Sequence, residues 1–400
     1  MTHNFELLAP AGSPEALDAA VGEGADAVYL GLKDFNARLR SANFTYAQFE
    51  GALRSLRRMK KKVYVTVNTV FEQREADRMY QLLKYLAAHE PDALIVQDFG
   101  VVAMARSEFP SLRLHASTQM NIASGRGANA LSRHGISRVV LARELSLEEL
   151  KSVRAETNLE LEVFVHGALC VSASGICLFS SFLGGKSANR GMCTQACRRL
   201  YRRVSANDTE GDTFGESGYY FSPNDLQLLE RVPDLAAAGI NALKIEGRMK
   251  SAAYVGAVVS AYRVVVDACL DGDEDQIRRS IEQGREILRN DFARPKTQFY
   301  FNGEQDASNL RFGIDWLNPE QDGGTGISLG AILKVKGAGG GAQEERRRAL
   351  VSPPHGIVPS VRDSVRIHRG DDSERVTHKL NFAESAGQSG GFWISIPAGS

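Results

Sequence analysis

Cys170, Cys177, Cys193 and Cys197 lie within 28 residues of one another, in the pattern C-x6-C-x15-C-x3-C. Thiolates are soft ligands, and four of them on one loop are what a soft metal centre needs. Three chemistries compete for them. Disulfides fit poorly, because the opening MTHNFELLAPAG lacks a secretory-signal pattern and a chain of 400 residues does not need stapling. Structural zinc is usually held by two short knuckles, and only Cys193 and Cys197 are close enough to form one. An iron–sulfur cluster of the 4Fe-4S type is the preferred reading. Thiolates spread along a glycine-rich loop can wrap a cubane while backbone amides approach its sulfurs. The fifth cysteine, Cys269, sits in the apolar run YRVVVDACL and reads as a buried helix residue.

Something must position that loop. Eight short apolar runs recur along the chain: FELLAPA (5–11), DAVYLGL (26–32), KVYVTVN (62–68), DALIVQD (92–98), RLHAST (113–118), SRVVLAR (137–143), ELEVFVH (160–166) and NALKIEG (241–247). Each is rich in β-formers and bounded by polar residues or glycine, as buried parallel strands are. Helical stretches lie between them, among them SPEALDAAVGEGA, TYAQFEGALRSLRRMKKK and LSLEELKSVRAE. The alternation predicts an α/β fold, a (β/α)8 TIM-like barrel over residues 1–315 with the cysteine loop (167–203) between strands seven and eight. An open doubly wound sheet is the alternative, but no G-x-G-x-x-G follows the first strand. KSAAYVGAVVSAYRVVVDACL and DEDQIRRSIEQGREILRN read as two further helices. Residues 316–400 change texture to short β-runs and glycine-rich turns, which predicts a small β-barrel-like domain with a flexible tip at GAGGGAQEERRR.

A barrel places its active site at the C-terminal ends of its strands. His115, His166, Lys244, Glu246 and Arg248 fall there and form the candidate catalytic set, with Arg143 beside them. For each one taken alone, a salt bridge or loop hydrogen bond is an equally good account. Peptidase chemistry finds little support in the motifs. His115 and Ser117 could share a face of one strand, and Cys170 lies near His166, yet neither G-x-S-x-G nor H-E-x-x-H occurs.

The 48 basic and 48 acidic residues cancel, so any nucleic-acid footprint must be local. No apolar run is read as long enough to cross a membrane, and with reduced thiols a cytoplasmic setting is expected.

The segments EVFVHGALC, HASTQ, ANRGMCTQACR and KIEGRMKS, with LLAPAG and DAVYLG near the start, resemble the signature of the collagenase-like peptidase family U-32 over roughly residues 5–315. Several members carry a further cysteine where this chain has Gln227, which makes Cys197 the fourth ligand that the resemblance implies. ALIVQDFG, VLARELSLEEL and SANRGMCTQACR look closest to the bacterial branch that 5-hydroxylates a cytidine of large-subunit ribosomal RNA. Related branches hydroxylate a transfer RNA uridine, with prephenate as oxygen source, or ubiquinone precursors. The resemblance thus implies oxygen-independent hydroxylation of an RNA pyrimidine. Peptidase activity and a non-catalytic cluster-bearing assembly partner are the alternatives. Iron–sulfur assembly and electron-donor proteins are the expected partners, and no membrane is. For RNA, the local cations would be Arg190, Arg198, Arg199, Arg202 and Arg203, clustered around the last two cysteines. Their bland reading is an offset to an anionic cluster or a solvated face. Arg143 and Arg248 are candidate carboxylate clamps.

Overall fold

A computed structural model describes residues 5–39, 41–202, 217–271, 273–289, 291, 293–303, 316–319, 329–337, 347–353, 357–361, 363–368, 375–387 and 391–397. The chain divides into two units, residues 1–324 and 325–400.

In the first unit all eight apolar runs are strands: β1 (Glu6–Ala11), β2 (Ala27–Gly31), β3 (Lys62–Val67), β4 (Ala93–Val96), β5 (Leu114–Ala116), β6 (Ile136–Val140), β7 (Glu160–Ala168) and β8 (Ala242–Ile245). Each pairs in parallel with the next, and β8 pairs with both β7 and β1, which closes the barrel. The open-sheet alternative is therefore excluded. Helices α1 (Pro14–Gly22), α2 (Tyr46–Arg58), α3 (Ala76–His89), α4 (Phe99–Glu108), α5 (Gly125–Ser132) and α6 (Leu147–Glu156) follow the first six strands in turn. Their starts are set by local chemistry. Ser13 accepts a hydrogen bond from the Ala16 amide, and Thr45–Gln48 and Ser146–Glu149 form reciprocal capping boxes.

Alternation along the strands sends one set of side chains out to the helices and the other into the barrel. Outside, Leu7, Val28, Val63, Leu94 and Leu114 join the main apolar core. Inside, a small apolar layer of Leu8, Ala27, Tyr29, Tyr64, Ala93 and Ile95 is joined by charged groups. Arg138 reaches Glu6, Glu160 (2.6 Å) and Glu162 (3.2 Å). Lys244 binds Glu162 at 2.7 Å, and the Tyr64 hydroxyl donates to Glu6 at 2.8 Å. Glu162 is fully buried and Arg138 nearly so. Removing one partner from such a network costs about 3–5 kcal/mol, because the remaining charge is left in low dielectric.

The short α8 (Val232–Ala237) precedes β8, after which run α9 (Ala252–Asp271) and α10 (Glu274–Leu288). Residues 252–270 are long and apolar enough, at mean hydropathy 1.5, to cross a bilayer by composition alone. Here Val255, Val258, Tyr262 and Val266 are buried in the core, so α9 serves as a layer helix of the barrel.

The second unit is β-rich, as expected. Its described residues form a four-stranded antiparallel sheet in the order Ile332–Lys336, Arg348–Val351, Phe392–Ser395, Ala383–Ser385, and a separate ladder of Ser364–His368 with Arg375–Lys379. Ala349, Val351, Leu380, Ile394 and Ile396 form its core. The glycine-rich tip, residues 338–346, lies outside the described residues.

Candidate functional site

The loop after β7 turns back over the C-terminal mouth of the barrel. It contains the short helix α7 (Phe179–Gly184) and tight turns at Ala188–Arg190 and Ala196–Arg198. Gly175 pins it down. A Cβ there would lie 2.0 Å from the carbonyl oxygen of Gln119, in the turn after β5, and its φ of +78° suits glycine alone. Beneath the loop is a cavity of about 520 Å³, the size of a small-molecule site.

All four clustered cysteines line that cavity. Burial raises the Cys197 thiol to about 11; Arg198 pulls it back, while Cys170, Cys193 and Cys177 push it further up. Cys177 is raised by burial too, with Cys170 and Cys193 acting as like charges. The four sulfurs therefore sense one another. Backbone amides already point at two of them: those of Phe179 and Ser180 at Cys177, and that of Gln195 at Cys193 Sγ, 3.4 Å away. Among the described residues no three His, Cys, Asp or Glu side chains are drawn together as a finished ligand shell. The donor set suits a soft metal or a cluster, and its side chains would close in on one when it binds. Cys269 lies on α9, outside the cavity lining.

The same cavity is lined by Arg38, Arg143, Lys244, Glu246 and Arg248. Glu246 is the negative centre. Its Oε1 meets Arg38 Nη2 at 2.9 Å, and its Oε2 accepts from the Tyr29 hydroxyl at 3.1 Å. Burial alone would push this carboxyl up. The guanidiniums of Arg38 and Arg248, with Arg143 farther off, outweigh it and bring the pKa down to about 2. Burial lowers Arg248 to about 10; its Nη1 donates to Thr66 Oγ1 at 3.0 Å. Arg143 stacks over the Phe164 ring at 5.2 Å and donates to the Ala168 carbonyl.

The sequence-derived catalytic set is only partly brought together. Lys244, Glu246 and Arg248 share the cavity. His115 lies inside the barrel, edge-on to Tyr64 at 4.9 Å and outside the cavity lining. Burial, with Arg138 and Lys244 near it, holds its imidazole well below the ordinary range. His166 departs from expectation altogether. It faces α9, 5.6 Å from the Tyr262 ring, with Nε2 3.4 Å from Asp291 Oδ2. The cause is a register shift against β8: Lys244 opposes Phe164, but Ile245 opposes His166. The extra residue, Val165, reverses the parity of everything after it, so Phe164 lines the cavity and His166 turns away.

The arginine cluster also divides. Arg190 pairs with Glu72 and Glu75 (3.0 Å). Arg198 donates to Ser222, to the Leu169 carbonyl at 2.8 Å and to the Pro223 carbonyl, so it ties the loop together. Arg199 and Arg202 are exposed, and Arg203 lies outside the described residues. Sequence reasoning missed Arg38, Tyr29 and Asn68. Arg38 follows β2 by a loop, where no strand-end rule points. Tyr29 sits mid-strand and reads as core.

The sequence profile described as Peptidase family U32 matches residues 12–311, three quarters of the chain. The chain belongs to peptidase family U32. Its U32 domain is thus the barrel with its cysteine loop. Among curated relatives of this U32 chain, the Bacillus subtilis protein named "tRNA hydroxylation protein P1" is 36% identical over 283 residues, 70% of this chain and 67% of that one. The Escherichia coli "23S rRNA 5-hydroxycytidine C2501 synthase" is 34% identical over 308 residues, 76% of this chain but 46% of that one. A Porphyromonas gingivalis protein named "Collagenase" is 34% identical over 304 residues, 72% of each. The chain therefore spans less than half of the ribosomal RNA synthase it matches.

Proposed function

We propose that this U32 chain hydroxylates a pyrimidine base of RNA, either a ribosomal cytidine or a transfer RNA uridine, at a site built around a 4Fe-4S cluster. The observation that carries the reading is the shared cavity, lined both by four thiols and by a carboxylate with cations around it. The names of the B. subtilis and E. coli relatives support the reaction class. A base must leave its stack to be modified at C5, and a cavity of about 520 Å³ has room for one pyrimidine with space to spare.

Cys170, Cys177, Cys193 and Cys197 would hold the cluster, which would supply Lewis acidity or electrons. The remaining roles belong to the chain's own groups. With a pKa of about 2, Glu246 stays ionised at neutral pH and is too weak a base to take up a proton there. It serves as an acceptor that orients an N–H of the base. Arg143 and Arg248, without a carboxylate within ion-pair distance among the described residues, would hold an anionic co-substrate; prephenate is the candidate oxygen source. Arg199 and Arg202, both exposed, would be the cations that meet phosphates. Iron–sulfur assembly and electron-donor proteins would be the partners, in a cytoplasmic setting.

A collagenase-like peptidase is the second reading, favoured by the P. gingivalis relative. Against it, no histidine lines the cavity among the described residues, so no thiol or hydroxyl there has an imidazole base beside it. Mass spectrometry of digested ribosomal and transfer RNA from a deletion strain is the deciding experiment. Loss of one hydroxylated pyrimidine, restored by the gene, is expected. Unchanged RNA together with altered peptide fragments would overturn the reading in favour of the peptidase.

A further inference from the structure

A chain of amide hydrogen bonds crosses the cavity wall and ends inside it. It starts at the backbone amide of Ala37, in the loop after β2, which donates to Asn68 Oδ1 at 3.0 Å. A backbone N–H can only donate, so this contact settles which way the Asn68 amide faces. Asn68 Nδ2 then donates to Gln119 Oε1, again at 3.0 Å. That bond turns the acceptor end of Gln119 toward Asn68, and Nε2 is left with its hydrogens and no partner among the described residues. Asn68 is buried, and both side chains line the cavity. Gln119 is also held by its backbone, through the Ser117 hydroxyl (3.3 Å) and the close approach of Gly175. Three loops thus fix the orientation of one side-chain amide, and they present it to the cavity as a donor.

We infer that Gln119, oriented by Asn68, is a specificity-determining residue that donates a hydrogen bond to a carbonyl oxygen of the bound pyrimidine. This rests on the reading of the cavity as a pyrimidine site. A fixed donor favours a ring that presents oxygen at the contacted exocyclic position and opposes one that presents an amine. Uracil carries oxygen at both of its exocyclic positions; cytosine carries oxygen at one and an amine at the other. The contacted position is assigned as the one next to C5, beside the carbon that is hydroxylated, so the wall discriminates for uridine.

Asn68→Asp tests the relay without changing a group that must touch the base. The aspartate would accept from Ala37 with one oxygen and turn the other toward Gln119, whose amide would flip to donate to it. The cavity would then meet the Gln119 oxygen instead of its N–H. The measurement is kcat/KM on matched RNAs that carry uridine or cytidine at the hydroxylated position. Wild type is expected to prefer uridine, and Asn68→Asp should shrink or invert the uridine-to-cytidine ratio by about ten- to a hundredfold, as an unsatisfied buried polar group implies. Gln119→Glu, isosteric and without donors, should move the ratio the same way. Melting temperatures near wild type would exclude misfolding, and a purely structural role would lower both rates together. An unchanged ratio in both variants overturns the role of Gln119 and leaves the RNA reading standing. Failure of wild type to hydroxylate either RNA overturns the RNA reading, and this inference with it.

Discussion

Glu246→Gln should remove a specific part of this protein's acid sensitivity. The carboxyl is only 15% exposed and lies against the Arg38 guanidinium. Burial raises its pKa, but Arg38 and Arg248 bring it from the ordinary 4.5 down to about 2. Each pKa unit is worth ~1.4 kcal/mol, so the ionised form contributes about 3 kcal/mol of stability. Because the folded pKa is the lower one, that contribution is complete above 4.5 and is lost as pH falls from 4.5 through 2. By about pH 3 roughly 2 kcal/mol of it should be gone. Urea unfolding of wild type and Glu246→Gln, measured from neutral pH down to about pH 3, reads this directly. The variant should be less stable at neutral pH, and the gap between the two proteins should narrow by roughly 2 kcal/mol on acidification. Other acid-titrating groups are common to both proteins and cancel in the difference. Parallel curves would refute the reasoning. They would mean that Glu246 is not held ionised by the arginines, and its role as a fixed acceptor would fall as well.

Anaerobically purified protein should bind about four irons per chain, as a single cubane does; alanine at Cys170, Cys177, Cys193 or Cys197 should bleach it while Cys269→Ala does not, and stoichiometric zinc without visible absorbance would refute the cluster. Gly167→Ala should lower product formation at near-normal iron content. Its φ of +107° disfavours alanine, and the new Cβ would sit 2.5 Å from the Glu246 carbonyl, displacing the residue that carries the acceptor. His166→Gln should leave kcat on RNA near wild type, because this side chain faces α9. It should also flatten the stability profile between pH 6.5 and 4, where burial of the neutral imidazole makes wild type lose stability as pH falls, and urea midpoints across that range check it. Glu162→Gln should cost about 3–5 kcal/mol in unfolding free energy, since Lys244 would lose its buried counter-charge and Arg138 one of its three acidic partners.

The sequence by itself determined the barrel and the identity of the thiol cluster. Eight apolar runs of strand length are a local signal, because a strand buried on both faces must be apolar almost throughout. The spacing of Cys170, Cys177, Cys193 and Cys197 is likewise readable in one dimension, and so is the strand-end position of Lys244, Glu246 and Arg248. Which way a side chain points was decided elsewhere. One extra residue at Val165 turned His166 from the cavity to α9, and no composition rule marks a bulge that arises from pairing with β8, some eighty residues on. Charge was similarly opaque. Arg190 and Arg198 read as a surface patch, but distant acids and carbonyls take up their donors. Arg38 reads as an ordinary loop residue, but it meets Glu246 across 208 positions. The orientation of the Gln119 amide depends on a backbone N–H at Ala37 and a side chain at Asn68. Periodicity and spacing are properties of neighbours along the chain, whereas ion pairing, bulge parity and amide orientation are properties of neighbours in space, and only folding creates those.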